Sequence, residues 1–148
     1  MTGPDSDDLM QIRVGERRLA IALSVISDVF DTGFVTPVPL TPRHVVGLAS
    51  HRGKTLCVLS LAALLGIVDG TASDEAMTLG LRWNDQPLAL RVDAAEDVFQ
   101  RAELTPFEGG FRHPAIGGLY RRGDMPVSEI NISTLLATLP QIDSGAPA

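Results

Sequence analysis

The chain has 148 residues, of which 45% are hydrophobic and 20% charged, and its formal net charge is −6 at pH 7. A chain of this length forms one domain, or two small units that share a core, because half of it would bury too little apolar surface. The acidic balance and an aromatic content of 5% provide neither a phosphate-neutralising face nor a base-stacking platform, so we expect no nucleic-acid partner.

The amino-terminal residues 1–8 contain three aspartates and no hydrophobic periodicity, which predicts a disordered tail. No basic segment followed by an apolar core is present, so we expect a cytoplasmic protein. The longest apolar run, 56–68, is shorter than the roughly 20 residues that span a bilayer, and we expect no direct membrane insertion. Cys57 is the single cysteine and lies in this run, which indicates a buried thiol in a reducing compartment.

The first half predicts mostly short strands. Alternating apolar residues at 10–14 and a second apolar segment at 19–23 predict a hairpin, and the residues 25–38 predict extended chain. Thr41 and Pro42 are typical of a helix N-cap and first turn, so we predict a short helix through Val46 that ends at Gly47.

Two further strands joined at residues 51–54 lead into a short helix at 61–65, with Ser60 as its N-cap and Gly66 at its end. A polar linker, 69–74, follows. The second half repeats the order of the first. Its predicted elements are strands at 77–83, 88–93, 96–100, 116–121 and 125–130, a loop at 106–114, a helix at 133–139 and a flexible tail at 140–148.

The two halves are also related residue by residue. A shift of 70 residues (122 − 52) places Arg52-Gly53 on Arg122-Gly123, with one inserted residue further along. A shift of 69 residues gives six identities over 10–30, where roughly one or two are expected by chance. We interpret the chain as two tandem copies of one unit. The first-copy residues that are identical are Arg13, Leu19, Ala20, Asp28, Val29 and Phe30.

About five short strands in roughly 65 residues are typical of a small closed barrel. We therefore predict an all-β fold of two tandem five-stranded barrels that share a hydrophobic core, with short helices. Barrel 1 covers about 9–68 and barrel 2 about 77–139 of a single domain, 9–139.

The order and spacing of these features resemble the CheW family, the adaptors of bacterial chemosensory arrays. The resemblance rests on the opening strand pair, the ISDVF segment, Thr41-Pro42, the segment from Gly47 to Gly53 in place of the family's Gly-Val-x-Asn-Leu-Arg-Gly, the RVDAAEDVF segment and the final GLYRRGD. It covers nearly the whole chain. It implies SH3-like barrels that exchange strands, no enzymatic activity and no cofactor.

The resemblance also implies partners. Such adaptors bridge the regulatory domain of a CheA-type histidine kinase and the helical-hairpin tip of a methyl-accepting chemotaxis receptor, at membrane-associated receptor arrays. Two residues depart from the family pattern, because His51 stands where leucine is usual and Ser60 where an acidic residue is usual. These departures could mark an alternative chemosensory or pilus-motility pathway. The partner-binding residues that the resemblance implies are Ile26, Asp28, Gly47, His51, Arg52 and Gly53.

Several residues leave alternatives open. Arg52 is either a partner-facing guanidinium or a solvated turn residue, and Asp28 and its equivalent Asp97 are either turn caps or partner contacts. The three histidines lack the spacing of a metal or acid-base site. The alternative function is a divergent tandem-barrel module that binds a peptide or small ligand in another motility or regulatory pathway. A hydrolase is disfavoured because no Gly-x-Ser-x-Gly, His-Glu-x-x-His or Gly-x-x-x-x-Gly-Lys motif is present.

Overall fold

The structure is a computed structural model that describes residues 8–31, 35–67 and 76–137. The predicted linker and most of the predicted tails lie outside these ranges, although Asp8 already belongs to the first strand. The described residues form eleven strands and two α-helices. These are β1 (Asp8–Val14), β2 (Arg17–Ala22), β3 (Ile26–Asp31), β4 (Val45–His51), β5 (Lys54–Ser60), α1 (Leu61–Leu65), β6 (Met77–Leu81), β7 (Leu88–Val92), β8 (Ala94–Gln100), β9 (Leu104–Pro106), β10 (Ile116–Arg122), β11 (Met125–Ile130) and α2 (Ile132–Ala137).

The strands form two small SH3-like barrels, which confirms the predicted fold class. The five-stranded barrel has the order β3-β6-β7-β5-β4, and the six-stranded barrel has the order β8-β1-β2-β11-β10-β9. The sixth strand of the latter is the three-residue β9. Each barrel contains strands of both sequence copies. Four strand pairings join the two copies. Two are parallel, β2 with β11 and β5 with β7, and two are antiparallel, β1 with β8 and β3 with β6.

A single large apolar core lies between the barrels. It includes Ile12 and Leu19 of the six-stranded barrel, Leu59 and Leu90 of the five-stranded barrel, and Leu135 of α2, all at most 1% exposed. The predicted shared core is therefore confirmed. Each of these side chains stabilises the fold by roughly 1.5–3 kcal/mol through its removal from water.

The helix α1 begins and ends as predicted. The Ser60 hydroxyl accepts a hydrogen bond from the backbone N–H of Ala63 at 3.1 Å, and Gly66 follows the helix with φ of 71°. The left-handed region is open to glycine without steric penalty, so the chain can turn away from the helix at this residue.

The short helix predicted from Thr41 to Val46 is wrong. The segment makes one turn, closed by a 3.0 Å hydrogen bond from the Val45 N–H to the Pro42 carbonyl, and β4 already begins at Val45. The Thr41 hydroxyl donates to the Val38 carbonyl at 2.8 Å instead of capping a helix. Pairing of Val45 with Leu59 of β5 outweighs the local helix signal, because it extends a sheet that is already formed.

Replacing the N-cap of α1, Ser60→Ala, is expected to lower the free energy of unfolding by about 1 kcal/mol, since the Ala63 N–H loses its partner. Urea denaturation measures this loss. Ser50→Ala, at an exposed position of β4, is the matched control and should leave the midpoint nearly unchanged. Equal midpoints for the two variants would show that the cap does not stabilise the helix.

Candidate partner-binding site

A surface groove of about 1110 Å³ lies between the β4–β5 and β6–β7 hairpins of the five-stranded barrel, next to β3. Every residue that lines it belongs to this barrel or to the loops between its strands. Three of the predicted partner-binding residues, Asp28, His51 and Arg52, line the groove. We call it the hairpin groove. Its other charged residues are Lys54, Arg82 and Asp85, and its apolar residues include Leu56, Leu81, Trp83 and Leu88.

Asp28 and His51 form a close pair at the edge of the hairpin groove. The His51 Nε2 atom lies 2.9 Å from Asp28 Oδ2, and the Ser27 hydroxyl donates to Asp28 Oδ1 at 3.0 Å. The His51 ring stacks on the ring of Phe30, with a centroid distance of 3.7 Å and an interplanar angle of 9°. A β-bulge between Ile26 and Asp28 brings two successive side chains of β3, Ser27 and Asp28, to the same groove.

The Asp28 carboxyl is held in its ionised form. Burial alone would raise its pKa, but the hydrogen bonds from Ser27 and His51, with the charges of His51 and Arg52, outweigh burial and lower the pKa from its ordinary value. The ionised carboxylate therefore stabilises the fold above the unfolded-state pKa. This contribution is lost as the pH falls through the lower, folded-state pKa.

The β4–β5 turn carries the predicted arginine in an unusual backbone conformation. Arg52 has φ of 54° and Gly53 has φ of 79°, as in a type I′ hairpin turn, where Asn-Gly is the preferred pair. A left-handed non-glycine residue costs about 1 kcal/mol. Among the described residues, Arg52 has no hydrogen bond or ion-pair partner. The strained turn therefore presents an exposed, unpaired guanidinium beside the groove.

Two of the remaining predicted residues have internal positions. Ile26 is 6% exposed and packs in the shared core. Gly47 is buried and follows the bulge of β4, where it lies against the backbone of Thr36. These two residues support the five-stranded barrel from within. Gly53, by contrast, is exposed and shapes the β4–β5 turn.

The six-stranded barrel contains a structural counterpart of this arrangement. The bulge before Gly47 in β4 corresponds to the bulge before Gly118 in β10, and the last paired residues of these strands are His51 and Arg122. In a structural alignment of the two hairpins, His51 therefore corresponds to Arg122, a shift of 71 residues (122 − 51). The sequence comparison, which placed Arg52 on Arg122, was wrong by one residue, because the position of a bulge is not visible in the sequence.

At this counterpart position, the guanidinium of Arg122 forms hydrogen bonds with three side chains. Arg122 binds Asp97 through two hydrogen bonds of 2.9 and 3.0 Å, approaches Glu103 at 3.2 Å and Gln11 at 2.9 Å, and lies 4.2 Å from the centre of the Phe99 ring. The hydrogen bonds to Asp97 raise the guanidinium pKa, against the effect of burial. Asp28 and Asp97 therefore have the same place in the two barrels, each binding the side chain at the end of the adjacent hairpin strand.

The other candidate groups form no second site. Burial raises the pKa of the half-buried Cys57 thiol, which disfavours the reactive thiolate. In the described part of the chain, no three His, Cys, Asp or Glu side chains are placed to bind a metal ion. Of the helices described, none is long and apolar enough to cross a membrane.

Sequence reasoning missed the residues that complete the groove, in particular Trp83, Arg82 and Lys54. Trp83 is half-buried and lines the groove. The exchange of β6 and β7 into the five-stranded barrel brings Arg82 and Trp83 beside the β4–β5 turn. No local signal could have indicated this, since these residues belong to the other sequence copy.

The fold is that of a tandem-barrel protein with an open surface groove on its five-stranded barrel. Its sequence matches the CheW-like domain family over residues 8–138, and the chain belongs to the CheW family.

Known relatives agree with this membership. The chain is 40% identical to Protein FrzA of Myxococcus xanthus over 53 residues, which are 36% of this chain and 33% of FrzA. It is 23% identical to Chemotaxis protein CheW of Rhizobium meliloti over 91 residues, which are 62% of this chain and 59% of that protein. The matched part therefore spans a third to three fifths of these curated relatives.

The fold is also that of a solved relative. The crystal structure of scaffolding protein TtCheW from Thermoanaerobacter tengcongensis aligns with a TM-score of 0.74 at 20% identity and covers 86% of each chain. That relative is described as a scaffolding protein, and the alignment shows that this chain shares its fold.

Proposed function

We propose that this protein is a cytoplasmic chemosensory adaptor that couples methyl-accepting chemotaxis receptors to a CheA-type histidine kinase in membrane-associated arrays. Its membership of the CheW family supports this role. The observation that carries the proposal is the hairpin groove, in which the unpaired Arg52 lies beside the Asp28–His51 pair at the positions that the family resemblance implied.

The chemistry of the groove suits an amphipathic acidic helix. Lys54, Arg82 and Arg52 provide three permanent positive charges against the two carboxylates of Asp28 and Asp85. Leu56, Trp83 and Leu88 provide the apolar surface. An amphipathic helix binds such a groove through its apolar side chains, while charge complementarity fixes its orientation. We therefore assign the groove to the receptor tip, which is a helical hairpin.

The kinase would bind elsewhere. The two barrels share a fold but differ at equivalent positions, since His51 of the five-stranded barrel corresponds to Arg122 of the six-stranded barrel, a permanent cation that binds Asp97. A kinase regulatory domain of similar fold can make a heterologous contact with one barrel while the other holds the receptor. Many weak contacts of this kind add up in an array through multivalency.

Arg52→Asn is expected to affect binding and stability in opposite directions. Asparagine suits the left-handed turn position, so the free energy of unfolding should stay equal or rise by up to about 0.5 kcal/mol. Loss of the guanidinium should weaken binding of a receptor-tip hairpin by about tenfold, equivalent to about 1.4 kcal/mol. Calorimetric titration and urea denaturation provide the two readouts, with Arg121→Ala on the β10–β11 hairpin as the matched control. Unchanged affinity would remove Arg52 from the site.

The function itself is tested by reconstitution. The purified protein is titrated separately with the receptor-tip hairpin and with the regulatory domain of a CheA-type kinase from the same organism, and then with both. We expect micromolar or tighter binding to each and a ternary complex. Binding of neither partner would refute the adaptor role and favour the divergent peptide-binding or ligand-binding module.

A further inference from the structure

His51 occupies the position in the five-stranded barrel that the cation Arg122 occupies in the six-stranded barrel. At the counterpart position, Arg122 lies between the carboxylate of Asp97 and the face of Phe99. His51 lies in the same way between the carboxylate of Asp28 and the face of Phe30. Both environments therefore suit a positively charged group, because a carboxylate and an aromatic face each attract a cation.

The two positions differ in chemistry. Arginine keeps its charge at every physiological pH, whereas the ordinary pKa of histidine lies between pH 5 and 8. The His51 side chain is about one-fifth exposed, so a proton can reach it from solvent. The five-stranded barrel therefore holds a titratable group where its counterpart has a permanent cation.

Protonation of His51 changes the charge of the hairpin groove. The charged groups that face His51 or share its groove are three cations and two carboxylates. The Asp28 carboxylate stays ionised near neutral pH, because its pKa is lower than that of an ordinary carboxyl. The three cations and two carboxylates sum to a charge of +1 when His51 is neutral. Protonation of His51 adds one positive charge and brings the total to +2. These groups are Asp28 on β3, Arg52 and Lys54 on the β4–β5 hairpin, and Arg82 and Asp85 on the β6–β7 hairpin.

We propose that the protonation of His51 regulates partner binding in the hairpin groove, so that an acidic partner helix binds more tightly as the pH falls. This inference rests on the proposed function, because it concerns the groove that we assign to the receptor tip. Protonated His51 neutralises the Asp28 carboxylate, which otherwise repels an acidic partner, and leaves Arg52 and Lys54 to attract it.

The test is a series of calorimetric titrations of the full chain with the receptor-tip hairpin between about pH 6 and about pH 8, across the ordinary titration range of histidine. We expect wild-type affinity to rise about three- to tenfold over this range as the pH falls. His51→Gln keeps a neutral donor near Asp28 and should bind with the high-pH affinity throughout. His51→Arg reproduces the counterpart in the other barrel and should bind with the low-pH affinity throughout.

A second histidine provides the control. His113 lies in the loop before β10, where its Nδ1 atom accepts a hydrogen bond from the Ala115 N–H at 3.0 Å. His113→Asn retains an acceptor at that place and should preserve the wild-type pH dependence. Wild-type binding that does not vary with pH, or a slope that persists in both His51 variants, would overturn the regulation while leaving the adaptor role intact. Absence of binding at every pH would overturn both the regulation and the assignment of the hairpin groove to the receptor tip.

Discussion

Gly47→Ala is expected to lower the free energy of unfolding by about 3 kcal/mol or more, the largest effect of any single change considered for this protein. Gly47 has φ of 151°, which side chains rarely adopt. A Cβ atom there would overlap the carbonyl oxygen of Thr36 and lie 2.8 Å from Val35 Cγ1. The overlap would break the two 2.8 Å backbone hydrogen bonds between Thr36 and Leu48.

The variant Gly53→Ala measures the cost of backbone strain without the steric clash expected at Gly47. Gly53 also has a left-handed φ, of 79°, but a Cβ atom there would meet nothing within 4 Å. This variant should lose only about 1 kcal/mol, measured by the same urea denaturation. If Gly47→Ala were as stable as wild type but failed to bind the receptor tip, Gly47 would be a contact residue, and the internal role argued from its burial would be refuted.

Separate expression of the two sequence copies, as fragments 1–71 and 72–148, is expected to give two chains that do not fold alone but assemble when mixed. The first fragment lacks β6 and β7, which occupy the middle of the five-stranded barrel. Its own β1 and β2 would lose their neighbours β8 and β11. Each fragment would therefore expose half of a core and several unpaired strand edges.

We would test this prediction by following thermal unfolding with circular dichroism, for each fragment and for an equimolar mixture. We expect a cooperative transition only in the mixture. The control is the intact chain with a protease site between residues 71 and 72, which should remain folded after cleavage because every described strand stays whole. A cooperative transition in either fragment alone would show that a barrel can form within one copy.

The internal repeat was aligned correctly at one pair of residues and incorrectly at another. The identical Asp-Val-Phe segments, with Asp28 and Asp97 as their first residues, correctly indicated equivalent positions, since both carboxylates bind the end of a neighbouring hairpin strand. The matching Arg-Gly pairs were misleading. Arg52 lies in a turn, whereas Arg122 is the last residue of a strand, because the equivalent bulges of the two hairpins align the strands with a shift of 71 residues and not 70.

The sequence by itself determined every described strand except the three-residue β9, together with the all-β class, the duplication, the capped helix α1 and the family. These features depend on periodicity, turn residues and spacing along the chain. Only the tertiary structure decided which copy supplies each strand, how His51 reaches Asp28 and Phe30, and why Arg52 stays unpaired while Arg122 does not. These contacts join residues 21 to 111 positions apart. Their formation depends on bulges and on strand exchange, which leave no local pattern in the chain.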